Sequence, residues 1–219
     1  MREEVEETFN RIYRDELWGG GSGPGSRKEN SIEYLRFINE FISRNQVISI
    51  LDIGVGDGEL LSHLNLEGRS YTGIDVSSEA ISIAREKNYK NEIQLCIADA
   101  EFFDFQQYDL ILCKDVLQHL PNDKALRIIN LMRRNSKFTI ICNDFEYSDE
   151  KINSDIELGG YRTMNLAREP FCQRGKIVLQ WDSAGFTKRV LLFTNSSFMT
   201  RVGRRLRESI TRLKVKISN

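Results

Sequence analysis

"LDIGVGDGEL" (51–60) joins the end of an apolar run to a turn with glycine at every second position. The run that leads into it, "VISILDIG" (47–54), is β-branched and closes on glycine, as a strand buried on both faces does. Glycines at a strand exit let the backbone turn tightly and let a ligand come close to it. Outward from this point, short apolar runs alternate with helical patterns. "SYTGID" (70–75), "EIQLCIAD" (92–99), "YDLILCKD" (108–115) and "KFTIICND" (137–144) read as further strands. Residues 58–65 read as a helix. Residues 77–88 read as another, with Ser77 as N-cap and Glu79 in its first turn. Pro121 opens a helix through about residue 134, since proline suits a first helical turn. This alternation predicts an α/β fold, a mostly parallel sheet with helices on both faces. Two later runs, 176–182 and 188–194, flank a short glycine-containing segment and predict an antiparallel hairpin at one edge. The stretch 145–175 before it is long for a connection, and long connections in compact domains tend to be functional.

Upstream, residues 3–17 place Val5, Phe9, Ile12, Tyr13 and Leu17 at helical spacing, and 31–44 do the same with Leu35, Ile38, Phe41 and Ile42. Between them "LWGGGSGPGSR" (17–27) holds five of the fifteen glycines. Composition alone reads it as a flexible linker. Pro24 in its middle and Trp18 before it read it instead as a loop laid against something. The 219 residues suit one domain, expected over 1–195. Residues 196–219 form a tail, with Val202, Leu206, Ile210, Leu213 and Ile217 on one helical face and seven basic residues on the others. Such a helix touches an anionic membrane or a charged partner, or packs on the domain with a wet face.

The bulk numbers exclude several classes. Lys and Arg total 31 against 32 Asp and Glu, a balance that points away from nucleic acid. Cys96, Cys113, Cys142 and Cys172 sit far apart, without metal-ligand spacing or a disulfide framework. The first three end or interrupt apolar runs and read as small buried hydrophobes. The N-terminus lacks a signal-peptide core, and no run approaches the roughly 18 apolar residues of a membrane span. A cytoplasmic protein is expected.

A dinucleotide fingerprint, G-x-G-x-x-G, would put a third glycine at 59, where Glu59 stands. Asp52-x-Gly54-x-Gly56-x-Gly58 resembles instead the first motif of class I S-adenosylmethionine-dependent methyltransferases, [DE]-x-G-x-G-x-G. The resemblance implies a Rossmann-like sheet of about seven strands. It also implies S-adenosylmethionine as cofactor, and an aspartate after each of the next two strands. Asp75 stands where the ribose hydroxyls would be accepted, with Val76 beside it. Asp99 stands where the adenine amine would be, with Ala100 beside it. Cys113 would line the same site. On the residues alone, a strand-ending aspartate is equally a turn or N-cap residue. "CKDVLQHLPND" (113–123) resembles the small-molecule branch of the family. The stretches typical of base-amine and cytosine-carbon methylation are absent.

Trp18 with "SGPGS" (22–26) resembles the N-terminal loop of a group of bacterial and phage methyltransferases. The resemblance implies that residues 1–45 form a lid, with Trp18 and Gly23 against the cofactor. Gly159 to Phe171 matches a pattern of the same group, which points Tyr161 and Arg162 at the acceptor; a surface loop is the alternative. Arg162 offers a fork for phosphate or carboxylate. His119, just past the fourth strand, is the candidate base, since an imidazole titrates near neutrality. Asp115 is the second candidate or its orienter, and Asp144 the third. His63 reads as structural. No spacing compels a metal, although Asp115 and Asp144 could meet one. The family context suggests a sugar or sugar nucleotide of polysaccharide synthesis as acceptor. RNA or protein methylation, non-catalytic cofactor binding and a nicotinamide oxidoreductase stay open, as does the oligomeric state.

Overall fold

The alternating apolar runs become strands of one sheet, with the helical segments laid over its two faces. The computed structural model describes residues 2–88, 93–146, 152–183 and 185–196. In chain order the elements are α1 (Arg2–Arg14), α2 (Ile32–Arg44), β1 (Ser49–Ile53), β2 (Ser70–Asp75), α3 (Ser78–Lys87) and β3 (Ile93–Ile97). Then come β4 (Tyr108–Lys114), α4 (Asn122–Asn135), β5 (Ser136–Phe145), β6 (Lys176–Ser183) and β7 (Phe186–Thr194). The seven strands lie in the order β3-β2-β1-β4-β5-β7-β6. β1 to β5 pair in parallel, and β7 runs antiparallel to both β5 and β6. The expected α/β sheet with an antiparallel edge hairpin is therefore present.

This order matters for function. The chain winds outward from β1 to β3, then returns to lay β4 on the other side of β1. The reversal opens a crevice at the carboxyl ends of β1 and β4, where ligands of such sheets bind. Side chains alternate across the strands. Leu51, Ile53, Ile111 and Ile141 meet α1 and α4 on one face, while Ile50, Leu110, Leu112 and Ile140 meet α2 and α3 on the other. α1 is tied to the start of α3 by Asn10, which donates to Ser78 Oγ (3.0 Å) and accepts from Ser77 Oγ (2.8 Å). Ser77 also caps α3, accepting from Ala80 N at 3.1 Å, as the sequence suggests.

The structure corrects two local expectations and leaves a third outside the described residues. Residues 58–65 form only a 3₁₀ turn at Leu61–His63. Asn39 of α2 takes His63 O (3.1 Å) and Asn65 N (2.7 Å), which satisfies the backbone that a longer helix would have used. Cys113 and Cys142 are buried, whereas Cys96 is half-buried. The basic tail lies outside the described residues apart from Ser196. Among the described residues no helix is long and apolar enough to cross a membrane.

Candidate active site

The glycine turn and the upstream loop hold each other. Ser22 Oγ accepts from Asp57 N (2.9 Å), donates to Asp57 Oδ1 (3.0 Å) and meets Tyr13 OH (2.8 Å). Lys87 Nζ completes the group at 3.0 Å from Asp57 Oδ2. Farther along the loop, Gly25 O accepts from Lys114 Nζ (2.7 Å) and Ser31 Oγ (2.9 Å). The glycine-rich tract is thus a seated loop rather than a slack connection. Gly56 has φ +59°, and a Cβ there would overlap Ser22 Oγ, so the close approach requires glycine.

Beneath this loop lies a cavity. α1 contributes Val5, Phe9 and Tyr13 to it, and Trp18, Ser22 and Ser26 roof it. Gly54, Gly56, Asp75, Val76, Asp99, Ala100 and Lys114 form the sheet side. Asp75 accepts from Gly56 N (3.0 Å, Oδ2) and Ser77 N (2.9 Å, Oδ1). Val76 N is a third backbone donor to the Asp75 carboxylate, which leaves one of its four acceptor positions open. Burial raises its carboxyl above the usual range. Asp99 Oδ1 accepts from Glu101 N at 2.9 Å, but Oδ2 is buried with no hydrogen-bond partner among the described residues. Buried polar atoms are ordinarily paired, so this oxygen calls for a donor from a ligand. An unpaired acceptor on a cavity-lining residue fits an exocyclic amine, and the remaining acceptor position of Asp75 fits a hydroxyl.

Four residues expected here lie elsewhere. Gly58 (φ +73°) faces α3, where a Cβ would lie 3.0 Å from Ala84 Cβ. Cys113 is enclosed in the core. Gly23 is buried against Trp18 and borders the neighbouring cavity. Asp52 points to the opposite sheet face, where it accepts from Tyr71 OH at 2.7 Å. Burial pushes its carboxyl up to about 7, against the Tyr71 hydroxyl and the Lys114 ammonium. An unfolded aspartate releases its proton near about 3.9. The folded chain therefore holds a proton that the unfolded chain has lost, and stability falls as pH rises from about 4 to about 7. Asp52→Asn keeps the Tyr71 bond and removes the charge. Its melting temperature relative to wild type is expected to climb between pH 5 and pH 8, by the equivalent of about 1–3 kcal/mol. An unchanged gap in paired thermal melts contradicts this.

The neighbouring cavity has aromatic walls, Trp18, Tyr161 and Phe186, and a polar floor of Asp115, Gln118, His119, Asp144 and Lys188. The two cavities share Trp18, Ser22, Asp115 and His119. His119 ends a 3₁₀ turn at Leu117–His119, and its ring lies 4.6 Å from that of Trp18. Its Nδ1 is 2.8 Å from Gly160 O, an acceptor only, so Nδ1 carries the proton and Nε2 the lone pair. Burial lowers its pKa below the usual value, so the imidazole is neutral.

Asp115 does not orient His119. Lys114 Nζ (2.5 Å) and Lys188 Nζ (2.8 Å) hold it. Burial alone would raise its carboxyl, but the two ammonium groups outweigh this and hold it at about 2, too acidic to take a proton near neutrality. Lys188 Nζ also lies 2.6 Å from Asp144 Oδ1, so an ammonium bridges the two aspartates where a metal could have been imagined. No group of three or more His, Cys, Asp or Glu residues placed to hold a metal occurs among the described residues. Asp144 Oδ2 accepts from Gln118 Nε2 (3.1 Å) and Tyr161 OH (3.0 Å). Tyr161 thus reaches the cavity, whereas Arg162 borders neither. Arg162 is buried and donates to Leu120 O (2.7 Å) and Leu117 O (3.4 Å). Its fork braces the turn that carries His119 instead of meeting an anion.

Lys188, Lys114 and Gln118 escape the sequence reading. Lys188 carried a faint signal, a basic pair with Arg189 ahead of the apolar run 190–193. Its meaning emerges only from the β5–β7 register, which sets it opposite Asp144.

Residues 50–137 match a family model described as a methyltransferase domain. The ubiquinone biosynthesis O-methyltransferase of Glaesserella parasuis serovar 5 (strain SH0165) is 30% identical over 101 residues, covering 42% of this chain and 43% of that protein. The protein of the same name from Vibrio atlanticus (strain LGP32) is 33% identical over 82 residues, 35% of each chain. The chain thus spans less than half the length of these curated relatives. The structure of magnesium protoporphyrin IX methyltransferase from Synechocystis PCC 6803 with bound SAH matches with a TM-score of 0.66 at 16% identity, over 90% of this chain and 100% of that one. That of the N-methyltransferase NodS from Bradyrhizobium japonicum WM9, in complex with S-adenosyl-l-homocysteine, gives 0.58 at 19% identity, over 75% and 85%. At such identities these likenesses concern the fold.

Proposed function

We propose that the chain is a class I S-adenosylmethionine-dependent methyltransferase that methylates a small molecule on oxygen, a reading supported by the match of residues 50–137 to a methyltransferase domain model. The roofed cavity holds S-adenosylmethionine and its neighbour holds the acceptor. The observation that carries this reading is the shared wall. Trp18 and His119 border both cavities, so a group passing from one to the other passes beside them. The cofactor fits the residues present: Asp99 Oδ2 lacks a donor, Asp75 lines the cavity with one acceptor position open to a ribose hydroxyl, and the glycine turn leaves room for close approach. When bound, S-adenosylmethionine supplies an electrophilic sulfonium methyl.

The chain's own task is then alignment, exclusion of water and handling of one proton. His119 Nε2 accepts the hydroxyl proton, while Gly160 O fixes the tautomer. Arg162 acts through His119, as a positioning residue on its turn. Trp18 and the loop 17–27 shield the junction, so residues 1–45 serve as the lid.

The acceptor cavity suits a hydroxylated ring such as a sugar. Its aromatic faces offer apolar area, and its charged lining is Lys188 against Asp115 and Asp144. No net positive charge is left there to draw a phosphate, so the nucleotide of a nucleotide sugar would sit at the mouth. A methyl-transfer screen over glycosides, nucleotide sugars, phenols and tRNA tests this. The expected result is turnover on a hydroxylated small molecule and none on tRNA. Methylation of tRNA alone would overturn it.

A further inference from the structure

The roofed cavity is lined by two lysines, and they stand at opposite ends. Lys124 stands at the Asp99–Glu101 end, where its Nζ lies 2.5 Å from Glu101 Oε2. Lys114 stands at the other end, with Ser22, Ser26 and Asp115. It is the last residue of β4, its side chain is 6% exposed, and it lies over the Tyr34 ring at 5.7 Å. Two of its three N–H donors go to Gly25 O (2.7 Å) and Asp115 Oδ2 (2.5 Å), which leaves one. The loop closes tightly over this spot, since a Cβ on Gly25 would lie 2.9 Å from Asp115 Oδ2 and 3.0 Å from Lys188 Nζ.

On the cofactor reading above, adenine lies at Asp99 and ribose at Asp75, so the remaining amino-acid end of the ligand points away from Lys124. That end carries a carboxylate, and a carboxylate taken from water needs a charged, hydrogen-bonding partner. We infer that Lys114 is the carboxylate-binding residue for the amino-acid end of the cofactor. Because the same ammonium holds Gly25 O, it couples seating of the loop 17–27 to a ligand that carries that carboxylate. Nucleosides lacking the amino acid would enter the same cavity without engaging it.

Calorimetric titration tests this with three ligands: S-adenosylhomocysteine, its decarboxylated analogue S-adenosyl-3-thiopropylamine, and 5′-methylthioadenosine. Lys114→Met is expected to weaken S-adenosylhomocysteine by about tenfold or more, the usual scale for a charged hydrogen bond. It should leave the other two within about twofold. Lys114→Gln, which can still donate to Gly25 O, should show the same selective loss, and Lys114→Arg should recover most of the affinity. Equal weakening of all three ligands would make Lys114 a loop brace and overturn the inference, as would no weakening at all. If wild type binds none of the three, the cofactor reading itself falls, and this inference with it.

Discussion

Replacing His119 by glutamine is expected to lower methyl-transfer turnover by about 10²–10⁴-fold and to leave affinity for S-adenosylhomocysteine within a few-fold. The loss follows from position and protonation together. The ring borders both cavities, and its Nδ1–H is committed to Gly160 O. Only Nε2 is left to take a proton from an acceptor. Burial lowers the imidazole pKa below the usual histidine value near about 6.5, which favours the neutral base. The acid limb of kcat/KM should therefore lie below that value in wild type and vanish in the variant. Steady-state rates from pH 5 to 9 read both effects. An acid limb kept in His119→Gln would assign the base elsewhere. Asp115 would remain a poor replacement, since its two lysines hold it at about 2.

The second large effect concerns Asp99. Its Oδ2 is buried without a partner among the described residues, a cost the chain bears when nothing is bound. Asp99→Asn can keep an acceptor for Glu101 N, while turning a donor toward the place where an amine should sit. Affinity for S-adenosylhomocysteine is expected to fall by about 10–100-fold. Stability of the free protein should hold, because the amide keeps the acceptor for Glu101 N. Calorimetry and thermal melts on one preparation show both. A fall in stability matching the fall in affinity would make Asp99 a structural residue.

The sheet was legible because its signal is local. Period and glycine punctuation mark β1 to β5, and the hairpin needed only two β-rich runs around Gly185. Helix 58–65 was misread because its apolar spacing is real but its backbone is claimed by Asn39, a residue distant in sequence. Asp75 and Asp99 could be named from their place at strand ends. Asp52 sits in the same motif, yet the alternation of side chains along β1 turns it to the other face, toward Tyr71. Asp115 and Arg162 illustrate a different loss. Their residue types suit catalysis and anion binding, but Lys188, 73 residues away from Asp115, and the carbonyls of Leu117 and Leu120 had already engaged them. Such partnerships depend on register and turn geometry, which one sequence does not display.

The most direct measurement is a crystal structure of the chain grown with S-adenosylhomocysteine. The expected density runs from Asp99 past Asp75 and the glycine turn to Trp18, with the adenine amine donating to Asp99 Oδ2. A cavity left without ligand at saturating concentration, or a nucleoside bound away from both aspartates, would contradict the account.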